Sequence, residues 1–413
     1  MEKLTNVIKD GNTLTIENCN HPRCVSEFLW KVKDTLNQGY RDIVIKSSAT
    51  SYFPNACVPI AGIIDYYRKE GIDFTYEVDP NCYLAKCGVF NPYKESEDIL
   101  ATEKSPFDKI FYYESPTQVA AITQAYIDSI SHQSLCEEGV LTGLIWCLNE
   151  VMDNVLTHSS SSFGLVMAQY HPGNNHIVFC IYDYGVGIYK TMSESKHRAR
   201  TEIDAISLAI QEGVGDGKGQ GNGLYGLFET VRGNGGSLTI TSGKSSLMLF
   251  QDGKVKKFDS IPFISPEHKG TIIDFQLDLN KQIDIKKVFS TIGGFDGFDI
   301  RLDNMLDDSN HLIYDIFKNG QGTATRESGK YLRVDIENTL RRNSSTIILD
   351  FANVKAVSSS FIDELIAKMV LDLVFVNFNA AVRLANMTDE IAFLCNRSLY
   401  MRIHDSWESS KES

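Results

Sequence analysis

The chain has no apolar run long enough to span a bilayer, no low-complexity tract, and only 10 prolines in 413 residues. Its most apolar stretch, FIDELIAKMVLDLVFVNF from Phe361, is broken by Asp363, Glu364, Lys368 and Asp372, which excludes a membrane span there. The opening MEKLTNVIKDGN lacks the apolar core of a signal peptide, so no secretory leader is expected. Basic charge is short as well. Forty Lys and Arg against 53 Asp and Glu give a net charge of −13, and a surface of that sign repels phosphate backbones and excludes broad nucleic-acid binding. A local pocket can still hold a phosphate, because salt screens most of the distant field. Nine cysteines, an odd number without a CxxC pair, suggest reduced thiols in a cytoplasm. His21, Cys24, Cys82 and Cys87 leave a choice between a metal site and buried thiols, and their HxxC and CxxxxC spacings favour the thiols.

What is present is the composition of a globular α/β protein, 43% hydrophobic and 23% charged, with room for two or three domains. The first block, residues 1–93, alternates strands and helices: LTIEN, PRCVSEFLWKVKDTLNQ, DIVIK, VPIAGIIDYYRKE and IDFTYEV. A polar linker is expected over 94–107, from PYKESEDILATEKSP. The middle block, 108–282, opens with the helical patterns QVAAITQAYIDSI and GVLTGLIWCLNEVMDNVLTH. Strands FGLVMAQYH, HIVFCIYD, SLTITSG, SLMLFQ and GTIIDFQLDL follow, with a helix beginning near Asn222. Helices followed by an antiparallel meander predict a two-layer α/β sandwich with a mixed, mostly antiparallel sheet. The last block, 297–406, returns to the style of the first, and DIVIK and TIILD are each followed by a loop and an apolar helix at a constant offset. Two small α/β modules flanking a central domain are therefore expected.

Three clusters between residues 146 and 227 carry the chemistry. In WCLNEVMDNVLTHS, Glu150 and Asn154 share one helix face, and the face carrying the apolar Leu144, Cys147, Leu148 and Val151 is expected to be buried. The amide oxygen can ligate Mg²⁺ and the carboxylate can take a proton from an attacking water or hydroxyl; Asp153 is a second candidate, a quarter-turn away and expected to be solvated. In CIYDYGVGI, Asp183 ends an apolar strand and needs a donor such as an exocyclic amine, with Gly185 and Gly187 giving room for backbone approach. In GKGQGNGLYGL, Gly219, Gly221 and Gly223 run into a helix whose N-terminus favours anions, and Lys218 adds a positive charge. GNGLYG matches GxGxxG in form, but no strand precedes it and no acid follows at the required distance. GKS at 243–245 lacks the upstream glycine of a P-loop and falls in a turn between strands.

This ordered set resembles the conserved boxes of the GHKL ATPases, the group that includes gyrase, mismatch-repair ATPases, histidine kinases and anti-sigma serine kinases. The resemblance covers about residues 108–282 and implies ATP and Mg²⁺ as ligands. It makes Glu150 the catalytic base and Asn154 the metal ligand. Asp183 then reads adenine, and Gly185, Gly187, Lys218, Gly219, Gly221 and Gly223 hold the nucleotide. Gly270–Thr271 is similar to the family's Gly-Thr pair, so Thr271 joins the adenine site. The segment Tyr189–Lys218, with DAISLAIQEG as an expected helix, stands where the family has its lid.

The last block is similar to STAS-like domains, which pair with anti-sigma kinases in partner switching. ILDFANVKAVSSSF puts Asp350 at the strand end and Ser359 and Ser360 where such domains accept phosphate, but without the acid before them or the glycine after. The fit is closer to a STAS-like domain of unknown function, and a helix-capping role for the serines is the plain alternative. In the first block the equivalent loop SYFPNAC has Asn55 and Ala56 in place of serines, which leaves docking or structure as its role. Two functions follow. One is a Mg·ATP-dependent serine kinase or ATPase of the anti-sigma type, acting on a STAS-like partner or on its own Ser359 or Ser360. The other is a switch in which ATP alone changes how the STAS-like modules bind a protein partner. The resemblance adds homodimerisation, and no nucleic-acid or membrane partner is expected. His132 is followed by Gln133 rather than an acid, unlike the phospho-acceptor helix of histidine kinases.

Overall fold

The computed structural model describes residues 6–94, 105–159, 163–211, 214, 223–260, 270–289, 302, 305–307, 309–342 and 345–409. The chain divides into two compact units, one formed by Met1–Tyr126 with Gly143–Phe295 and the other by Ile127–Thr142 with Asp296–Ser413. The N-terminal block thus lies in one unit with most of the central block, while Ile127–Thr142 of the central block falls in the second. Ten residues of the expected linker, 95–104, lie outside the described residues.

The first unit begins with strands β1 (Val7–Asp10), β2 (Thr13–Ile16), β3 (Asp42–Ser47) and β4 (Asp73–Tyr76), in that order across one sheet. β1 pairs antiparallel with β2, and the other neighbours are parallel. Two helices make the crossovers. α1 (Arg23–Asn37) buries a stripe of Cys24, Val25, Phe28, Leu29 and Val32, as an amphipathic helix on a sheet must. α2 (Pro54–Lys69) starts on a proline, whose fixed φ suits the first helical position. Every residue of α2 from Ala56 to Ile64 is buried, a pattern that needs neighbours on both sides.

The second neighbour is the large sheet. It is ordered β11 (Val255–Phe258), β10 (Ser245–Leu249), β9 (Ser237–Ser242), β12 (Thr271–Asp278), β8 (His176–Asp183), β7 (Gly164–His171), β6 (Ile110–Tyr113), β5 (Tyr93–Lys94). All pairs are antiparallel except β5 with β6. On one face Leu165, Met167, Cys180, Tyr182 and Ile272 join α2 in a single core. On the other, Phe179 meets Tyr126 edge-on at 5.3 Å and stacks with Phe275 at 5.2 Å. Tyr126 belongs to α4 (Pro116–Gln133), which leads to α5 (Val140–His158); between α2 and β5, α3 (Tyr83–Lys86) is a single turn. The expected α/β sandwich thus gains a further layer, because its outer sheet face is covered by the N-terminal block. Double burial explains the near-continuous apolar runs of β7 and β8, since a strand wetted on one side would alternate. Polar links cross the same seam: Asn55 Nδ2 donates to Asp274 Oδ2 at 2.7 Å, and Ile110 N–H donates to Cys87 O at 2.8 Å.

His21, Cys24, Cys82 and Cys87 are not drawn together as ligands. Cys24 lies in the core 3.8 Å from Cys19, which in turn stands 3.9 Å from Cys57. Among the described residues no group of three or more His, Cys, Asp or Glu is placed to hold a metal, and none of the helices is long and apolar enough to cross a membrane.

After β8 come two short helices, α6 (Gly187–Glu194) and α7 (Glu202–Ala209). Thr201 caps α7, accepting from Asp204 N–H at 3.1 Å. α8 (Gly223–Asn234) then packs on β9 and β12, and α9 (Ile285–Phe289) packs against α8.

The second unit has three parallel strands in chain order, β13 (Leu312–Asp315), β14 (Ile347–Asp350) and β15 (Val382–Ala385). Its helices are α10 (Ile316–Asn319), α11 (Arg326–Arg342), α12 (Ser359–Ile362), a π-helical turn at Asp363–Ala367, α13 (Lys368–Leu373), α14 (Phe375–Ala381) and α15 (Asp389–Ser409). The apolar run from Phe361 is interrupted at Val374, whose φ of 63° breaks α13 from α14. Strands β2–β4 and β13–β15 share a three-stranded parallel order with helical crossovers, which is the topology that the sequence offset suggests.

A Cβ on Gly62 would sit 2.0 Å from Cε1 of the fully buried Tyr182. Gly62→Ala should therefore cost roughly 1–3 kcal/mol through overpacking, read as a lower urea midpoint. An unchanged midpoint would mean that α2 does not press on this sheet.

Candidate functional site

α5 is the element on which the site is built. Leu144, Cys147, Leu148 and Val151 are buried, Asp153 is exposed, and Glu150 and Asn154 are half-buried on a different face. That follows from helical spacing: Trp146, Glu150 and Asn154 form one ridge. The ridge meets the start of α8. A Cβ on Gly223 would lie 2.8 Å from Asn154 Nδ2 and 3.0 Å from Glu150 Oε2, and one on Gly226 would lie 2.0 Å from the Trp146 ring. Two glycines three positions apart let α8 approach that ridge, so the first and third sequence clusters touch. Burial raises the Glu150 carboxyl above the ordinary glutamate range, and the nearby Asp153 charge adds to the effect.

The second cluster is tied to the other end of the same helix. Val186 N–H donates to Ser159 O, just beyond α5, at 2.8 Å. A Cβ on Gly185 would fall 2.1 Å from that same Ser159 oxygen, so no other residue fits there. Gly187 has φ +75° and opens α6. Asp183 is 4% exposed. Desolvation raises its carboxyl to about 7, against the opposing effect of hydrogen bonds from Gly185 N–H and from Thr271; the Gly185 bond is 2.7 Å long.

Sheet register assembles the rest. Asp183, Thr271 and Ser242 stand abreast on β8, β12 and β9. The Ser242 and Thr271 hydroxyls are 3.4 Å apart, and Ser242 Oγ accepts from Ile188 N–H at 2.8 Å. A cavity of about 320 Å³ adjoins this end, lined by Val186, Gly187, Tyr189, Lys190, Glu202, Ser242 and Gly243. Its described lining includes neither Glu150 nor Asp183, so it lies beside the candidate residues at Gly187 and Ser242. Glu202 is held there by Lys244 N–H at 3.0 Å.

Of the expected site residues, Glu150, Asn154 and Gly223 come together, as do Asp183, Gly185 and Thr271, and α5 joins the two groups. Lys218, Gly219 and Gly221 lie outside the described residues. Sequence reasoning missed Ser159, Ser242 and Trp146. Trp146 could have been found from its place one turn before Glu150, whereas Ser242 is brought in by strand register, for which the sequence carries no local signal.

The serine loop is in the second unit. Ser358 Oγ accepts from Phe361 N–H at 3.0 Å and lies 3.0 Å from Ser360 Oγ. Ser358 is thus the helix cap, while Ser359 is exposed at the first turn of α12. Asp350 Oδ1 accepts from Ala352 N–H at 2.9 Å and from Asn386 Nδ2 at 2.7 Å.

Residues 328–392 match the STAS-like domain of unknown function (DUF4325). The match runs from α11 into α15 and includes β14, β15 and the whole serine loop. No curated protein matches the chain. The STAS-like domain is therefore the part of this chain with a shown family likeness.

Because Asp183 binds its proton more tightly folded than unfolded, its contribution to stability is lost as pH rises from about 4 towards 7. Asp183→Asn should consequently stabilise the ligand-free protein at pH 8 by roughly 1–3 kcal/mol, with the gain shrinking towards pH 4. Urea unfolding at the two pH values measures this, and equal effects at both would show that Asp183 is not desolvated.

Proposed function

We propose that the chain is a Mg·ATP-binding signalling protein resembling the anti-sigma serine kinases among the GHKL ATPases. It uses ATP for serine phosphorylation of a STAS-like partner or for hydrolysis. One observation carries this reading: α5 sets Glu150 and Asn154 against Gly223 at the start of α8 while its other end anchors the loop after Asp183. A Cβ at Gly223 would fill the space next to both polar side chains, so backbone amides at a helix N-terminus are brought to a carboxylate and an amide. That arrangement suits phosphates.

Each residue has a chemical task. Asp183, buried and poised near neutrality, accepts the exocyclic amine of adenine, with Thr271 holding the carboxylate in place. Asn154 offers its amide oxygen to Mg²⁺, which when bound supplies charge neutralisation at the phosphate oxygens. Glu150, its proton affinity raised by burial, receives the proton of the serine hydroxyl or water whose oxygen takes the γ-phosphoryl group as ADP leaves. Lys218, Gly219 and Gly221 complete the phosphate contacts in this reading. The free state of all nine cysteines supports a reducing, cytoplasmic setting, and the resemblance supports a homodimer.

A second reading, in which ATP is a conformational switch without chemistry, is favoured by the serine loop. Ser358 is engaged as a cap, and KAVS precedes the exposed Ser359 where phosphorylated STAS domains have an acid.

Incubation with γ-labelled ATP and Mg²⁺ should label serine or release labelled phosphate; neither product, with ATP still bound, would establish the switch. Asn154→Ala should remove Mg-dependent binding, and Asp183→Asn should weaken ATP at least tenfold by calorimetry, the loss of about one buried hydrogen bond. Unchanged ATP affinity in Asp183→Asn would remove the GHKL reading. Glu150→Ala should keep ATP and lose turnover, and persistent turnover would place the base elsewhere.

A further inference from the structure

α11 of the STAS-like domain buries polar residues where packing alone would call for apolar ones. Asp335 and Thr339 are 0% exposed and Asn338 is 1% exposed. Tyr331, Asp335 and Asn338 fall on one helix face, and that face meets the end of α4 and the turn that leads to α5. Asn338 Nδ2 donates to Ser131 O at 2.9 Å and to Ser134 O at 2.8 Å, while its Oδ1 accepts from Cys136 N–H at 2.8 Å. Three of the four hydrogen bonds available to an amide are thus spent on one turn, partly on carbonyls that a helix end leaves without partners. Arg341 adds a bond from Nη1 to Cys136 O at 2.9 Å. One turn earlier, Asp335 lies 3.5 Å from His132 Nε2, and the His132 ring stacks on Tyr331 at 3.9 Å.

The other end of α11 reaches the serine helix. A Cβ on Gly329 would sit 2.6 Å from Phe361 O. Arg326 and Arg333 bond the buried Glu364 of the π-helical turn at 2.9 and 3.2 Å. A single helix therefore grips the α4–α5 turn at one end and the helix following Ser358–Ser360 at the other. From that turn α5 runs without a break to Glu150 and Asn154. Buried amide and carboxylate contacts are directional, so they fix the turn in one register, where an apolar contact would let it slide.

We propose that Asn338 and Arg341 form a clamp that couples nucleotide occupancy at α5 to the Ser358–Ser360 loop through α11, which makes them positioning residues of the STAS-like domain. The inference rests on the nucleotide reading above. Binding that shifts or stiffens α5 alters the turn, and the clamp passes the change to α11 and to the serine helix.

Backbone hydrogen exchange of the full chain, with and without Mg·ATP, tests this. In the unaltered protein ATP should slow exchange at 331–341 and 359–367 by about tenfold, within the usual range of coupling between sites. Arg341→Ala removes a side chain that is 35% exposed, so this variant keeps the fold. Asn338→Asp retains the acceptor and loses both donors. In each the ATP response of those segments should fall below about twofold, with ATP affinity within about threefold of the original. A full response in both variants would overturn the clamp. So would slowing confined to residues 150–188 in the unaltered protein. Absence of any ATP binding by the full chain would instead bring down the nucleotide reading, and the coupling with it.

Discussion

The close approach of α8 to α5 is the contact on which the candidate site depends. Trp146, Glu150 and Asn154 project from successive turns of α5, and only glycine at 223 and 226 lets the next helix lie against them. The Trp146 ring fills the space beneath Gly226, so the polar pair one and two turns further on is held at a fixed depth. Just beyond the end of the same helix is Ser159, whose carbonyl oxygen excludes any side chain at 185. A single rod thus sets both halves of the site. The spacing between Glu150 and the loop after Asp183 is carried by helix hydrogen bonds, with no flexible connection in between.

Around that rod the sheet is dry on both faces, and the electrostatics follow from this. Asp183 ends a strand whose neighbours are buried, so its carboxyl rises to about 7 even with hydrogen bonds opposing the shift. Asp274, three residues along from Thr271, is half-buried on the face that packs on α2; desolvation raises its carboxyl to about 6, with Asn55 as its partner. An N-terminal block that covers this face does more than flank the large sheet. It supplies the low-dielectric surroundings of Asp274, whereas Asp183 follows the α2-facing Tyr182 and so lies on the opposite face of the sheet.

The second unit solves a different problem with charge. Glu364 is 2% exposed and is met by Arg326 at 2.9 Å, Arg333 at 3.2 Å and Lys368 at 2.7 Å. Those hydrogen bonds hold its carboxyl below the ordinary glutamate range against the opposing effect of burial. Such a cluster contributes less to net stability than to orientation, and here it orients the π-helical turn just after the serine loop. Asp363 is tied to Arg402 of α15 at 2.6 Å, which extends the same control to the last helix.

The sequence by itself determined the major strands and helices of both units, because apolar periodicity reports which faces are buried. It determined the polar face of α5 for the same reason, and it showed the STAS-like character of the last block through the strand, loop and helix around Ser358–Ser360. Strands β11 and β13 were not read from the sequence; in β11, VKKF, three of the four residues are exposed, so no buried face marks it. Tertiary structure decided what no local pattern encodes. Strand register put Thr271 and Ser242 beside Asp183, and glycine contacts joined Gly223 to Glu150 and Asn154. Packing made the N-terminal block one core with the large sheet, a second cover that the expected two-layer sandwich did not include. No local pattern tells whether the polar face of α11 is buried or solvated. It is buried because the groups it meets are backbone carbonyls and an amide of a distant turn, and partners so remote in the chain become neighbours only when the fold is complete.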